Sequence, residues 1–407
     1  MDSRAMCQRP AQYLKRIVVI SEPHILSAYA RYGGHQYAKV FSRHGWQVIH
    51  LSASFNLWRL ALPNPGIDPK YIDLWRKRGQ QVDDGIVSYC LAHVLPTSLR
   101  FLPIINRIAW TLYVPSIQSV LNRLGISKVD LLWLHGNQDW LLKRAIPYRK
   151  LVVRIIDDYS AYGYDNFHPL MRETLAGADG VFACSEHVRQ VISSFFHDIE
   201  IKVVPNGVDF EHFANYAGEE MGVVKGIWPP RVVYVGAIAE WFDFDLVTEL
   251  ANRLPNCSFI IAGNWKREVP KIGTYPKNIF IIGPVEYDKL PAILTKSDVG
   301  LVPFKDIALV RGVSPIKVYE YLASGLPVVS LRWPELERES LPVFLAKTAD
   351  EFETGIRAAL GMPKDQRVHL REAVRKCSWE RRLQDILECI GLELDIKIRT
   401  GPQGHNT

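Results

Sequence analysis

A lysine and a glutamate lie one helical turn apart in the segment VRGVSPIKVYEYLASGLPVVS, residues 310–330. Ser314 and Pro315 favour a helix start, because serine caps helices and proline suits their first position. Lys317 then falls in the first turn, where free N–H groups and the helix dipole already attract anions. A cation at that end is unfavourable for the bare helix, so we expect an anionic ligand to offset it.

Glu320 follows three residues later and shares a helix face with Lys317. Its carboxylate can accept hydrogen bonds from a diol such as a ribose, while the lysine neutralises phosphate. Together these residues indicate a site for a nucleoside diphosphate. The alternative is an exposed i, i+3 ion pair, which is common and weak. The residue types alone leave both interpretations open.

The elements that must position this pair are predicted from alternating strand-like and helix-like segments. Helical stretches separate short apolar runs at 16–20, 46–53, 129–135, 150–157, 179–185 and 201–205. The same alternation of apolar runs and helical stretches continues from residue 231. This alternation predicts an α/β fold with parallel sheets, and 407 residues exceed one ordinary core. We expect two Rossmann-like domains, 1–205 and 206–378, with ligands in the cleft at the carboxyl ends of their strands.

The last segment, 379–407, is predicted to be an amphipathic helix followed by a disordered tail. The helix is either a plain packing helix or one that crosses back onto the first domain and forms part of a hinge. The six cysteines are scattered without a CxxC pair, which favours free thiols in a reducing compartment. No apolar run is long enough to span a bilayer, and the N-terminus resembles no secretory signal, so we expect a cytoplasmic protein.

The net charge of +6 is unevenly distributed, because residues 1–205 carry +8 and the remainder −2. A basic first half indicates an anionic partner there, either a phosphate-bearing acceptor or an acidic membrane surface. No nucleic-acid motif is present, so we expect no nucleic-acid partner. The acid-free segment 97–115 carries Arg100 and Arg107 beside an apolar stripe. It is either a helix lying on an anionic membrane or a core helix of the first domain.

Several segments resemble a known family, beginning with SPIKVYEYLASGLPVVS, which is similar to the donor-binding signature of GT-B glycosyltransferases of group 1. VVPNGVDFEHF (203–213) resembles their interdomain segment, and SWERRLQDIL (378–387) their terminal helix. IIDDYSAYGYDN (155–166) resembles a subgroup of teichuronic-acid type. The resemblance is strong over about 200–390 and weaker, but in the same order, over 14–200.

The resemblance implies a GT-B fold in which the second domain holds a nucleotide diphosphate sugar and the first holds the acceptor. Lys317 would neutralise the diphosphate and Glu320 would bind the ribose. The other donor-binding residues implied are backbone or base contacts, namely Gly236, Pro303, Phe304, Ser314, Pro315 and Ile316. The family needs no metal, so DFD (243–245) is interpreted as a helix start. No cofactor is expected beyond the nucleotide sugar, for which UDP is favoured over GDP.

The chain departs from the family at Gly312, where many relatives have a first glutamate eight residues before Glu320. In those relatives this glutamate lies against the transferred sugar and accompanies retention of configuration. Glycine cannot replace it, so either another residue takes over or the transfer is inverting. An inverting transfer needs a general base on the acceptor domain.

Asp157 is the first candidate for that base, because it follows an apolar strand, as does Asp158. Adjacent carboxylates point to opposite sides of a strand, so only one is expected to face the cleft. Xanthan-type glucuronosyltransferases offer a distant analogy, and the alternative is a helix cap or turn. His135, at the end of VDLLWLH, is a rival base, a sugar ligand or a structural histidine. Asn137 is a hydroxyl ligand or a turn residue.

The loop YGGHQY (32–37) places two glycines after the first strand. Gly33 and Gly34 can adopt positive φ and let the backbone approach a ligand, and His35 follows them. In the family this loop faces the diphosphate and the acceptor, although a Gly-Gly pair is often just a turn.

The sequence therefore predicts a cytoplasmic glycosyltransferase, located at the inner face of the membrane if 97–115 binds lipid. It would transfer a sugar to a hydroxyl of a lipid-linked or soluble glycan in envelope or exopolysaccharide synthesis. The alternatives are a nucleotide-sugar epimerase on the same fold and a non-catalytic partner that only binds.

Overall fold

The computed structural model describes residues 16–22, 27–29, 31–95, 112–135, 142–158, 168–218, 222–266 and 274–395. The predicted segment 97–115 lies largely outside these ranges, and so does Asn137. Within them the chain alternates between short buried strands and amphipathic helices.

The strands of the first half are mostly runs of buried β-branched and aliphatic residues. In chain order they are β1 (Ile17–Ser21), β2 (Gln47–Leu51), β3 (Phe55–Asn56), β4 (Gln80–Asp83), β5 (Ile86–Tyr89), β6 (Ala92–His93), β7 (Tyr113–Val114), β8 (Val129–His135), β9 (Tyr148–Ile155), β10 (Gly180–Ala183) and β11 (Lys202–Val203). Eight of them form one sheet in the order β11-β10-β9-β8-β1-β2-β5-β4, parallel except for the edge strand β4. The strand order reverses between β1 and β8, and in open α/β sheets ligands bind beyond that point.

The second half forms a separate six-stranded sheet. Its strands are β12 (Arg231–Val235), β13 (Ser258–Ala262), β14 (Ile279–Gly283), β15 (Val299–Val302), β16 (Val328–Leu331) and β17 (Val343–Ala346). The order is β14-β13-β12-β15-β16-β17, with every pair parallel. Here the order reverses between β12 and β15, so a ligand site is expected beyond the ends of these two strands.

The helices cover both faces of the two sheets. They are α1 (Gly33–Arg43), α2 (Pro69–Lys77), α3 (Ile117–Arg123), α4 (Leu142–Ala145), α5 (His168–Ala176), α6 (Glu186–Phe195), α7 (Phe210–Ala214), α8 (Phe244–Arg253), α9 (Leu290–Leu294), α10 (Ala308–Arg311), α11 (Ile316–Ala323), α12 (Pro334–Arg338), α13 (Ala349–Leu360), α14 (Arg367–Arg375) and α15 (Trp379–Cys389). Short 3-10 turns occur at Leu57–Ala61, Gly222–Val224, Tyr287–Lys289 and Lys364–Gln366.

The last helix, α15, crosses back onto the first sheet, which confirms that alternative of the sequence analysis. Its buried residues Trp379, Leu383 and Ile386 belong to the same core as Val18 and Tyr37. The Trp379 ring meets the Tyr37 ring edge-on, with centroids 5.2 Å apart. Burial of this apolar stripe therefore ties the end of the chain to the first domain.

Two chain crossings lie side by side where the halves join. Val208 N donates to Cys377 O (3.0 Å), and Trp379 N donates to Val208 O (3.2 Å). A Cβ on Gly207 would lie 2.8 Å from Trp379 N, so glycine permits this close backbone approach. The five cysteines in the described residues are free, as predicted.

Candidate functional site

The helix α11 carries the predicted lysine and glutamate, and a glycine follows its C-cap, Ser324. Gly325 has φ +75, a left-handed conformation typical of helix ends. The N-cap is Pro315, so the prediction that Ser314 caps the helix is wrong. Its hydroxyl instead accepts the N–H of Asn206 (2.9 Å), because the interdomain segment packs against the start of α11. Ile316 is the first helical residue.

A tyrosine fixes α11 over the end of β12. The Tyr321 hydroxyl accepts the N–H of Val235 (2.8 Å), directly before Gly236. Gly236 has φ +148, and a Cβ built there would lie 2.1 Å from Lys317 Cε and 2.9 Å from Lys317 Nζ. The backbone conformation therefore favours glycine, and a side chain at this position would displace the flexible lysine that crosses it.

Lys317 points across the edge where the strand order reverses. Its Nζ lies 5.9 Å from the ring centroids of both Tyr234 and Phe304, within range of cation–π attraction. Burial lowers the pKa of Lys317, and the nearby Glu320 offsets this in part. No carboxylate in the described part of the chain comes within ion-pair distance of its ammonium group. A half-buried cation without a close counter-ion is suited to receive a phosphate.

Glu320 is 9% exposed and lies near Lys317 without forming a close ion pair with it. Burial raises the pKa of the Glu320 carboxyl to about 7, with Lys317 lowering it and Asp209 raising it. The hydrogen bonds of the described residues include none to this carboxylate. Two adjacent ionisable groups are thus held partly desolvated, a state often found at functional sites.

Pro303 and Phe304, which were predicted to flank the nucleotide base, directly follow β15. Pro303 O accepts the N–H of Asp243 (2.8 Å), and Phe304 is 7% exposed against Trp333 and Tyr234. Their contact with a base stays a prediction. Asp243 caps α8 by accepting from Leu246 N (3.0 Å), so DFD is a helix start, as expected. Among the described residues, no three His, Cys, Asp or Glu side chains gather in a way that could hold a metal.

The two glycines of the first domain do not have the predicted positive φ, because α1 begins at Gly33. A Cβ on Gly34 would lie 2.6 Å from Glu22 Cγ, and one on Gly33 would lie 3.3 Å from His135 Cε1. The Glu22 carboxylate accepts the N–H of His35 (3.0 Å) in the first turn of α1. A carboxylate therefore already occupies the helix end where the loop was expected to meet phosphate, and the glycines make room for side chains.

Three buried histidines lie near this end of the first sheet. Burial is the largest cause that lowers the pKa of His35, His50 and His135, each to about 3. Within the described part of the chain, neither ring nitrogen of His135 has a hydrogen-bond partner. An imidazole with so low a pKa is a weak base, which disfavours His135 as the proton acceptor.

The two aspartates after β9 have different surroundings. Burial raises the pKa of Asp157, and the neighbouring charge of Asp158 raises it further. Asp157 also contributes to raising the pKa of Tyr32, at the start of α1. Asp158 Oδ2 lies 3.2 Å from His187 Nε2 at the start of α6. A carboxylate with a raised pKa suits general-base catalysis at neutral pH, which keeps Asp157 the first candidate.

Two residues that the sequence analysis missed join the halves beside Gly312. His187 packs against Gly312, where a Cβ would lie 2.9 Å from its Cδ2. Glu335, on α12 of the second domain, accepts the N–H groups of Glu186 (3.1 Å) and His187 (3.0 Å). The sequence signal for His187 was the strand end followed by the cap Ser185, whereas nothing local indicated Glu335.

A second set of contacts joins the two domains near the start of α1. Gln36 Nε2 donates to the Tyr287 hydroxyl (3.0 Å), and Tyr287 N donates to Ala28 O (2.9 Å). These contacts and those of Glu335 bring the edges at which the strand order reverses in the two sheets toward each other. Lys317 and Glu320 come from one side, and Asp157 and His187 from the other.

Comparison with known proteins agrees with this geometry. Residues 229–361 match the family model for glycosyl transferases of group 1. The segment that matches this family model contains Gly236, Lys317 and Glu320.

A curated relative matches about half of the chain. TuaH of Bacillus subtilis (strain 168), a glycosyltransferase provisionally assigned to teichuronic acid biosynthesis, is 24% identical over 229 residues. The match covers 53% of this chain and spans 57% of the relative.

Solved structures show the GT-B fold over nearly the whole chain. A UDP-forming trehalose-phosphate synthase from Burkholderia xenovorans, solved with glucose-6-phosphate, has a TM-score of 0.65 at 12% identity and covers 92% of this chain and 100% of its own. The Anabaena protein HepE, solved with UDP and glucose, has a TM-score of 0.57 at 12% identity and covers 92% and 99%. At such identities the likeness concerns the fold.

Proposed function

We propose that this protein is a glycosyltransferase that moves a sugar from a nucleotide diphosphate sugar to a hydroxyl group of a glycan acceptor. The observation that carries the proposal is the pair of half-buried Lys317 and buried Glu320 at the edge where β12 and β15 end. Both groups are partly desolvated and lack close partners among the described residues, so an anionic diol ligand would satisfy both at once.

The donor would bind chiefly to the second domain. Lys317 would contact the diphosphate, Glu320 the ribose hydroxyls, and the first turn of α11 would add backbone N–H groups. UDP is the favoured nucleotide, since solved proteins with this fold are described as UDP-forming or were solved with UDP. No cofactor other than this co-substrate is required by the proposal.

The reaction would form a bond between the acceptor oxygen and the anomeric carbon while the bond to the diphosphate breaks. Asp157 would take the proton of the acceptor hydroxyl, and inversion of configuration would follow if it acts in a single displacement. Negative charge grows on the leaving diphosphate, where Lys317 already lies. Such preorganised electrostatic stabilisation is usually the largest contribution to catalysis.

A transfer assay with candidate UDP-sugars and membrane-extracted or soluble glycans tests the proposal. Lys317→Gln and Glu320→Gln should lose transfer, whereas Lys296→Gln, an exposed lysine of the same domain, should not. Asp157→Asn should bind nucleotide normally but transfer sugar at least a hundredfold more slowly. Transfer at a near wild-type rate in Asp157→Asn would show that another residue is the base.

Two alternatives predict different outcomes in the same assay. An epimerase on this fold would convert the nucleotide sugar without acceptor. A non-catalytic partner would bind nucleotide and show no turnover with any donor and acceptor. Acceptor-dependent release of the nucleoside diphosphate would exclude both.

We further propose that the protein works at the cytoplasmic face of the membrane in envelope polysaccharide synthesis, with a lipid-linked acceptor. The assignment of TuaH and the +8 charge of the first half support this. No helix in the described part of the chain is long and apolar enough to cross a membrane.

Membrane contact would involve the segment 97–115. Replacing Arg100 and Arg107 by glutamine should weaken flotation with anionic liposomes at low salt. Replacing Arg76 and Arg78, two exposed arginines on and beside α2, serves as the matched control. Equal flotation of the two double variants would show that this segment does not bind lipid.

A further inference from the structure

Glycine at position 312 leaves room for a neighbouring side chain and is not required by the backbone conformation. Gly312 ends α10 with φ −92 and ψ 0, a right-handed conformation open to any residue. A Cβ there would lie 2.9 Å from His187 Cδ2 and 3.6 Å from Val188 Cγ2. The glycine is therefore matched to the imidazole of His187, which comes from the opposite domain.

The imidazole is oriented by a carboxylate of its own domain. His187 Nε2 lies 3.2 Å from Asp158 Oδ2, because β9 and β10 are neighbours and their carboxyl ends lie together. A carboxylate on Nε2 places a proton there and leaves Nδ1 to face another group. Among the contacts of the described residues, His187 Nδ1 has no partner, and its side chain is 32% exposed.

The position of His187 across the cleft is also fixed by the second domain. Glu335 is 7% exposed and accepts the N–H groups of both Glu186 and His187. An acceptor buried at the start of α6 satisfies groups that a helix leaves unpaired, so the helix end is held in place. His187 is thereby held against the segment 312–315, which leads directly into α11 and its Lys317.

We propose that His187, oriented by Asp158 and admitted by Gly312, hydrogen-bonds a hydroxyl of the transferred sugar through Nδ1 and so determines which sugar is accepted. This inference rests on the proposed function. A sugar attached to a diphosphate bound at Lys317 would lie near the start of α11, only a few residues from Gly312 in the chain. The imidazole of His187, which contacts Gly312, is a directional hydrogen-bonding group within the same region.

The test compares affinities for the nucleoside diphosphate and for its nucleotide sugar, measured by calorimetry. His187→Ala should weaken binding of the nucleotide sugar about tenfold and leave binding of the nucleoside diphosphate unchanged. Failure of the wild-type protein to bind any nucleoside diphosphate would instead refute the proposed function. Normal binding by the wild-type protein with an unchanged affinity ratio in His187→Ala would refute the role of His187.

A double-mutant cycle with Gly312→Ala supplies an internal control. The added Cβ should displace the imidazole and cause a similar loss in the wild-type background, but no further loss in His187→Ala. Gly222→Ala, where a Cβ meets nothing within 4 Å, should leave the affinity ratio unchanged. Additive effects of Gly312→Ala and His187→Ala would contradict the proposal.

Conservative variants separate sugar binding from a purely structural role. His187→Asn retains a polar atom near the Nδ1 position and should recover part of the sugar-dependent affinity. His187→Gln retains one near Nε2, where it can still meet Asp158, and should behave like His187→Ala. Full recovery in His187→Gln without recovery in His187→Asn would show that the residue only supports Asp158. Equal weakening of both ligands in every variant would likewise overturn the proposal.

Discussion

The substitution Glu320→Gln should stabilise the ligand-free protein at alkaline pH. The pKa of Glu320 is raised from 4.5 to about 7 in the folded chain, chiefly because of burial. Between these two values the folded state binds more protons than the unfolded state, so the free energy of unfolding falls as pH rises. Each pKa unit corresponds to about 1.4 kcal/mol, which gives about 3 kcal/mol lost by pH 8.

Glutamine has nearly the same shape and cannot ionise, so it avoids this loss. At pH 8 we expect the free energy of unfolding of Glu320→Gln to exceed that of the wild-type protein by about 1–3 kcal/mol. The difference should shrink as pH falls toward 4.5 and vanish about one pH unit below it, where the wild-type carboxyl is protonated in both states. The same variant should bind nucleoside diphosphate at least tenfold more weakly, because charge-assisted hydrogen bonds to the ribose are lost.

Urea denaturation at pH 5 and pH 8 measures the first effect, and calorimetric titration measures the second. Glu388→Gln, at an exposed carboxylate on α15, is the control and should change neither. A Glu320→Gln variant that is less stable than the wild-type protein at pH 8 would refute the desolvation argument. A stability difference that is the same at both pH values would refute it as well.

Three further substitutions test the packing around the site. Gly236→Ala should cost about 1–3 kcal/mol of stability and weaken nucleotide binding, because the backbone has φ +148 and the Cβ would meet Lys317. Gly34→Ala should destabilise the protein by about 1–3 kcal/mol by displacing Glu22 from the first turn of α1. Leu383→Ala should cost about 2–5 kcal/mol, because this fully buried side chain joins α15 to the first domain.

Thermal and urea denaturation check these stabilities, with Gly222→Ala as the control for an added methyl group in open space. Unchanged nucleotide affinity in Gly236→Ala would show that nucleotide binding does not depend on the position of Lys317 across Gly236. Unchanged stability in Gly34→Ala would mean that Glu22 is not held by the helix end. A Leu383→Ala variant as stable as the wild-type protein would contradict the crossing of α15 onto the first core.

Much of the fold was predictable because parallel buried strands are apolar runs with sharp ends. The strand predicted at 129–135 is observed as Val129–His135, and the helix predicted from Phe244 begins there. The strand β4 was not predicted, since its QQVD sequence is largely exposed and its pairing depends on β5. Polar edge strands carry no apolar signal, so only tertiary pairing identifies them.

The site was predictable only where one segment holds both chemical groups. Lys317 and Glu320 are neighbours on one helix turn, so spacing was sufficient. The clearance between Gly236 and Lys317, and that between Gly312 and His187, join residues far apart in the sequence. For the same reason the glycines of YGGHQY were given the wrong backbone conformation, because the packing of Glu22 and His135 against them has no local signal.

The most direct test of the account is a structure of the protein with a bound nucleotide diphosphate sugar. We predict that a phosphate oxygen lies within hydrogen-bond distance of Lys317 Nζ and that two ribose hydroxyls donate to the Glu320 carboxylate. A diphosphate bound at the first turn of α1, with Lys317 and Glu320 left without ligand, would contradict the central claim.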